Sequence, residues 1–224
     1  MIPSTPPSLK AYHLLTVRDC ARWAEKVISL KRSWIKRDDT LPFFTLGMAA
    51  YLDAIDTEAA LQNRTAYHTE ALRKLNNRLI QEHFSELLET SRAGIERWLS
   101  KPTVFAPTLT ALPGFHIHLP HATFTSEIAS VHNDLQFEQV FPNATPQEGE
   151  VLTFTLALSL PEGSGLNIWG DGDVSYHPYH LGHMYLHSGL HRHQAVLFHQ
   201  MADTPRICLQ GHGLILDGKM VLYW

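Results

Sequence analysis

The stretch from Ser130 to Phe137, Ser-Val-His-Asn-Asp-Leu-Gln-Phe, carries the residue types best suited to chemistry. Read as a strand, whose side chains alternate between faces, it puts His132, Asp134 and Gln136 on one side and Val131, Asn133, Leu135 and Phe137 on the other. An imidazole and a carboxylate two residues apart on one sheet face can take adjacent corners of a metal's coordination sphere. A histidine from elsewhere would complete a set of two imidazoles and one carboxylate. That set holds Fe(II) on one face and leaves the remaining positions open.

Spacing alone is weak support. With 15 histidines and 22 acidic residues in 224 positions, roughly one or two His-x-Asp/Glu triplets arise by chance. The other triplet, His68-Thr69-Glu70, begins a stretch, Tyr67 to Leu99, with helical periodicity. Helical residues two apart point about 200° apart, which excludes that pair as chelating. Histidine is also dense between His177 and His199, where seven occur. Most of these read as surface histidines, or as a metal-buffering tract.

The elements that must position these groups fall into two halves. In the first, residues 1–108, a Pro-rich extended lead-in (Met1 to Tyr12) precedes a helix from Thr16, in which Val17, Cys20, Trp23, Ala24, Val27 and Leu30 recur every three or four residues. Lys31, Arg32, Lys36 and Arg37 near its end suit the helix dipole. Asp38 to Pro42 break it, and Phe43 to Ile55 is expected to form a second helix, with Gly47 its weak point. The long third segment carries an apolar stripe of Leu72, Leu75, Leu79, Ile80, His83, Phe84, Leu87 and Leu88, extended by Ile95, Trp98 and Leu99. These are scaffold helices, and no catalytic pattern occurs in them.

Beyond Lys101 the character changes to short β-prone segments punctuated by Pro107, Pro113 and Gly114. Expected strands are 114–119, 129–137, 151–160, 165–169, 182–187, 193–198, 206–210, 214–216 and 220–224, a number and spacing that suit a sandwich or barrel. Asp217-Gly218-Lys219 reads as a hairpin loop. In Val151 to Leu160, Leu152, Phe154, Leu156, Leu158 and Leu160 alternate with Val151, Thr153, Thr155, Ala157 and Ser159. The bulky face is fit to pack under the helices and the small, weakly polar face to line a cavity.

Composition narrows the function classes. A hydrophobic content of 44% is ordinary for a soluble globular chain. A formal charge of −4 provides no basic footprint for nucleic acid or an anionic membrane. The two cysteines, Cys20 and Cys208, form no metal or disulfide framework, and the longest apolar run, Phe43 to Leu52, is too short to span a bilayer. No secretory signal pattern opens the chain, so a cytoplasmic address is expected.

From about Pro113 to Trp224 the chain resembles the Fe(II)- and 2-oxoglutarate-dependent oxygenases, whose core is a double-stranded β-helix of jelly-roll type related to the cupins. The resemblance rests on an order of features: His132-Asn133-Asp134, then Glu162 to Trp169 with Gly163 and Gly165, then Gly182 to His193, then Pro205-Arg206. It implies an α+β fold in which N-terminal helices pack on a C-terminal double-stranded β-helix spanning 109–224. It also implies that His132, Asp134 and His193 ligate Fe(II), with His191 and His187 as alternatives for the distal ligand. Arg206 would hold the distal carboxylate of 2-oxoglutarate bidentately. Oxygen would drive oxidative decarboxylation of this co-substrate and oxidation, usually hydroxylation, of a small molecule or amino-acid derivative. Cys208 stands where relatives often carry a small hydroxyl residue, and the interval from His193 to Arg206 is somewhat long.

Gln136, Asn167, Trp169 and His212 are candidate substrate contacts, with Gln210 to Gly213 read as a bend that ends the arginine strand. Two other readings compete. One is a cupin-type metalloenzyme without co-substrate, built on His116, His118 and a later histidine. The other is a non-catalytic β-sandwich that binds metals weakly through many histidines. Substrate identity and oligomeric state are not legible in the sequence.

Overall fold

The computed structural model describes residues 9–54, 66–170, 173–198, 200 and 202–224. Ile55, His199 and most of the expected lead-in lie outside that set. The end of the lead-in forms β1 (Lys10–His13), and α1 (Val17–Ser29) follows. Thr16 caps α1, its hydroxyl oxygen accepting the Asp19 N–H at 3.2 Å. The helix ends sooner than its basic tail suggests, because the Trp34 indole donates to the Val27 carbonyl and the chain turns into β2 (Ile35–Lys36).

Residues 43–55 depart from the helical expectation. Phe43–Leu46 is a strand, β3, and only Ala50–Asp53 is helical, forming α2. Gly47 separates them at φ +120°, with the Trp224 ring 2.7 Å from where a Cβ would stand, so a continuous helix could not pass. Phe43 and Phe44 favour a strand, and β3 finds a partner in β5 (Gly114–His118).

Helix α3 (Glu70–Leu99) kinks at Phe84, whose φ is −134°. Ile80, Phe84, Leu87, Leu88 and Ile95 are buried in its middle and end, whereas Leu72 and Leu75, expected in the stripe, are 46% and 64% exposed. At that end the buried side is polar. Arg73 donates to the carbonyls of Tyr67 and Thr108, and Asn77 donates to those of Pro107 and Thr110 and accepts the Leu112 N–H. These bonds hold the segment that enters β5.

The remaining strands are β4 (Thr103–Phe105), β6 (Val151–Ser159), β7 (Gly165–Gly170), β8 (Asp173–Pro178), β9 (His183–His187), β10 (His193–Val196), β11 (Arg206–Leu216) and β12 (Lys219–Tyr223), with a short helix α4 (Phe137–Val140) before β6. The larger sheet runs β1-β9-β6-β11-β5-β3-β2, with β12 continuing the β5 edge of β11 and β4 parallel to β12. The smaller runs β10-β7-β8. From β5 onward the chain passes back and forth between the sheets, with β5, β6, β9, β11 and β12 in the larger and β7, β8 and β10 in the smaller, as in a jelly roll. The "helical" first half is therefore part of the β structure, donating β1, β2, β3 and β4 to the larger sheet.

Three strand readings change. Residues 129–137 form no strand; one antiparallel pair, His132 with His193, ties them to β10 before α4 starts. Residues 206–216 are one continuous strand, so Gln210 to Gly213 is no bend. β8 was not anticipated; its Asp-Val-Ser-Tyr-His-Pro sequence is mostly exposed and lacks an apolar alternation. The expected hairpin is present, with Asp217 and Gly218 both at positive φ (48° and 76°) between paired Leu216 and Lys219.

The two faces of the larger sheet divide the work. Leu152, Phe154, Leu156 and Leu158 join Phe115, Ile117, Ile207 and Leu209 in one core with Trp23, Val27, Phe84 and Leu87 of the helices. The opposite face, turned to the smaller sheet, presents Thr153, Thr155, His116, His118, Arg206 and His212 to a cavity.

Candidate metal centre

Between the sheets lies a cavity of about 270 Å³, at the small end for a small-molecule site. His132, Asp134 and His193 meet on its wall with one potential ligand atom each, all within 4.8 Å of one another. His132 is fixed by backbone bonds in both directions with His193, at 3.0 and 2.9 Å. The Asp134 N–H donates to the Gly189 carbonyl at 2.7 Å, and the Asn133 amide turns the other way to the Leu190 carbonyl. The alternation expected of a strand is thus imposed on a loop by its anchors.

Both imidazoles are oriented through Nδ1. His132 Nδ1–H donates to the Ser130 carbonyl at 2.9 Å and His193 Nδ1–H to the His191 carbonyl at 2.8 Å. Each therefore turns Nε2 toward Asp134, 3.6 Å from Oδ1 for His132 and 3.3 Å from Oδ2 for His193. Octahedral ligands at about 2.1 Å from a metal stand roughly 3 Å apart. Two imidazoles with tied Nδ1 protons and one carboxylate are a donor set that fits a divalent transition metal with open positions.

The electrostatics agree. Burial favours protonation of the Asp134 carboxyl, but His212, His193 and the Thr153 hydroxyl outweigh it and hold the group well below the usual carboxylate range. Burial draws the His193 imidazolium down, and its contact with Asp134 more than offsets this and raises it. Asp134 is thus held as an anion, and it favours positive charge on the His193 ring that faces it.

The structure separates the three histidines considered for the distal position. His193 faces Asp134. The His191 ring instead meets Glu148 at 3.0 Å, and His191 contributes its carbonyl. His187 lies against His193, ring centroids 4.7 Å apart, and burial pushes it to about 3.

Arg206 opens β11 and is 3% exposed. Its guanidinium has no acidic partner among the described residues, its Nε is unpartnered, and it lies 5.7 Å from the Tyr179 ring. A buried cation left unpaired is destabilising by several kcal/mol in order of magnitude, a cost that an anion at this end of the cavity would offset. Cys208 is buried and does not reach the cavity lining.

Of the other sequence candidates, Gln136 donates to Asp134 Oδ1 at 3.0 Å and His212 lies 3.7 Å from Oδ2. Asn167 and Trp169 do not line the cavity. On β7 they occupy the face opposite Leu166, with Asn167 bonded to Gln194 and Trp169 beneath Arg192. His116 and His118 line the cavity but stand in no group with metal-ligand spacing among the described residues. His116 bonds Tyr51 Oη at 2.6 Å and His118 stacks on Phe43. Tyr51 was not anticipated, because its segment carries only the signature of a packing helix. Asp53, on the same short helix, takes both of its oxygens to Arg37 at 2.7 Å, which ties α2 to the chain leaving β2.

No protein-family model matches the chain, and no curated protein matches it in sequence. Solved structures do resemble it. An N-substituted L-amino acid dioxygenase from Burkholderia ambifaria, in complex with alpha-KG, superposes with a TM-score of 0.61 at 8% identity, over 96% of this chain and 86% of that one. This is the fold of the Fe(II)- and 2-oxoglutarate-dependent oxygenases. AviO1 from Streptomyces viridochromogenes superposes on the chain at a TM-score of 0.51 and 11% identity, over 95% and 92% of the two chains. The non-heme alpha ketoglutarate dependent epimerase SnoN from nogalamycin biosynthesis matches at 0.50 and 14%, over 95% and 82%. Among the described residues no helix is long and apolar enough to cross a membrane.

Proposed function

We propose that this protein is a non-heme Fe(II)- and 2-oxoglutarate-dependent dioxygenase acting on a small molecule. The observation that carries the reading is the pairing, in one cavity, of the His132, Asp134 and His193 ligand atoms with a buried, unpaired Arg206. A 2-oxoglutarate chain has the two ends those features ask for, a keto acid for the metal and a carboxylate for the guanidinium.

In this reading His132 Nε2, His193 Nε2 and Asp134 hold Fe(II), and Arg206 anchors the distal carboxylate. Fe(II) and 2-oxoglutarate bound there would supply oxidising chemistry, the overall balance being 2-oxoglutarate and O₂ giving succinate and CO₂ with one oxygen atom left for the substrate. The chain's own residues orient and exclude water. The Ser130 and His191 carbonyls fix the ring tautomers, and Leu166 and Leu197 provide apolar wall. Tyr51 and His116 form a polar wall where a substrate would lie; burial pushes His116 to about 3, so that pair stays neutral. Hydroxylation is the outcome we favour. The fold also serves an epimerase, so the fold itself does not choose the outcome. The absent basic footprint and the small size of the cavity favour a metabolite or amino-acid derivative over a polymer, and the two free, buried cysteines suit the cytoplasm.

Incubation with Fe(II), 2-oxoglutarate and O₂ is expected to release succinate slowly without substrate. His132→Ala and Asp134→Ala are expected to abolish the release; succinate formation that survives both substitutions would refute the assignment.

A further inference from the structure

Asp134 is borne on a loop, yet it is 3% exposed and both of its oxygens are engaged. We propose that Thr153, His212 and Gln136 form a clamp that fixes the Asp134 carboxylate for metal binding, with His212 acting through Thr153. The inference rests on the metal-centre reading above, and it makes Gln136 and His212 positioning residues rather than substrate contacts.

The hydrogen-bond directions follow from the inventory of protons. Gln136 Nε2 donates to Oδ1 at 3.0 Å, and Thr153 Oγ1 donates to Oδ2 at 2.6 Å. A hydroxyl has one hydrogen, so toward His212 Nδ1, 3.2 Å away, the Thr153 oxygen can only accept. The His212 ring must therefore present a proton on Nδ1. Its Nε2 is buried without a partner. The chain runs His212 Nδ1–H to Thr153 Oγ1–H to Asp134 Oδ2.

The clamp joins this loop to the centre of the larger sheet. Thr153 on β6 and His212 on β11 are directly paired across the two central strands of the larger sheet. Gly189 allows the loop to reach them. A Cβ there would stand 2.8 Å from both Asp134 Cβ and Thr153 Oγ1, closer than atoms can pack. Rotating the carboxylate would break the Gln136 and Thr153 bonds together, so metal affinity depends on the clamp.

The test uses metal-free protein titrated calorimetrically with Co(II), with the visible spectrum of bound Co(II) as a second readout. Thr153→Val keeps the shape and removes the hydroxyl; it is expected to weaken binding by about 10- to 100-fold, the usual effect of losing such a partner, and to alter the spectrum. Thr153→Ser should restore both. His212→Asn, whose amide nitrogen can stand near the place of Nδ1, should bind more tightly than His212→Gln, and Gly189→Ala should weaken binding. Thermal melting checks folding; if Thr153→Val melts much earlier, the two His212 variants decide the matter. Equal Co(II) affinity and spectra for Thr153→Val and Thr153→Ser, or for His212→Asn and His212→Gln, would overturn the clamp. If the parent protein binds no Co(II), the metal-centre reading fails first and the clamp with it.

Discussion

At the residue scale the site is decided by which nitrogen of each histidine is tied. His132 and His193 spend Nδ1–H on backbone carbonyls and turn Nε2 toward Asp134, whereas His191 turns to Glu148. His193→Ala is therefore expected to lose Fe(II) binding and His191→Ala to retain it, measured by anaerobic titration; the reverse order would move the distal ligand. Arg206 makes a second prediction. Replacing it with Met removes one partner of a buried charge pair, worth about 2–5 kcal/mol, so the 2-oxoglutarate KM should rise about 30-fold or more while Fe(II) affinity stays unchanged. An unaltered KM would place the distal carboxylate elsewhere.

At the scale of elements, β6 carries both halves of the design. Its bulky face is core, with Leu156 fully buried, and its small face brings Thr153 to Asp134. Leu156→Ala should lower unfolding stability by about 2–5 kcal/mol in denaturant titration, while Thr155→Ser, on the other face, should change it by far less. This division was legible in the sequence because strand alternation has a fixed period and nine residues sample it well. The order His132, Asp134, His193, Arg206 was legible for a related reason, since a jelly roll visits its strands in a set sequence. What was not legible depended on tertiary partners. Residues 129–137 look like a strand but are shaped by Gly189 and His193 from a distant segment, and Phe43–Leu46 looks helical until β5 offers an edge. Tyr51 and the Thr153–His212 chain are long-range contacts with no local signature, and Asn167 and Trp169 follow the motif in sequence while facing away in space.

At the scale of the whole molecule, four of the histidines lining the cavity are ones whose protonation folding disfavours. Burial pushes His116 and His187 to about 3 and lowers His118 and His212 as well, against an unfolded value of about 6.5. The unfolded chain then binds more protons below that value. Their contribution to stability is fully present above pH 6.5 and falls as pH drops, by about 1.4 kcal/mol per pH unit for each of His116 and His187 on the way toward 3. His193, raised in the fold by Asp134, acts in the opposite sense, one group against four. Metal-free protein should therefore unfold at lower urea concentration at pH 5 than at pH 7, and a flat or rising profile would show that these rings are hydrated or paired. The arrangement of the two sheets around those rings also implies where each ligand belongs, which a crystal structure determined anaerobically with Fe(II) and 2-oxoglutarate tests directly. It should show one metal within about 2.2 Å of His132 Nε2, His193 Nε2 and an Asp134 oxygen, with the distal carboxylate on Arg206. A metal held by His116 and His118, or a co-substrate whose distal carboxylate leaves Arg206 unpaired, would contradict the account.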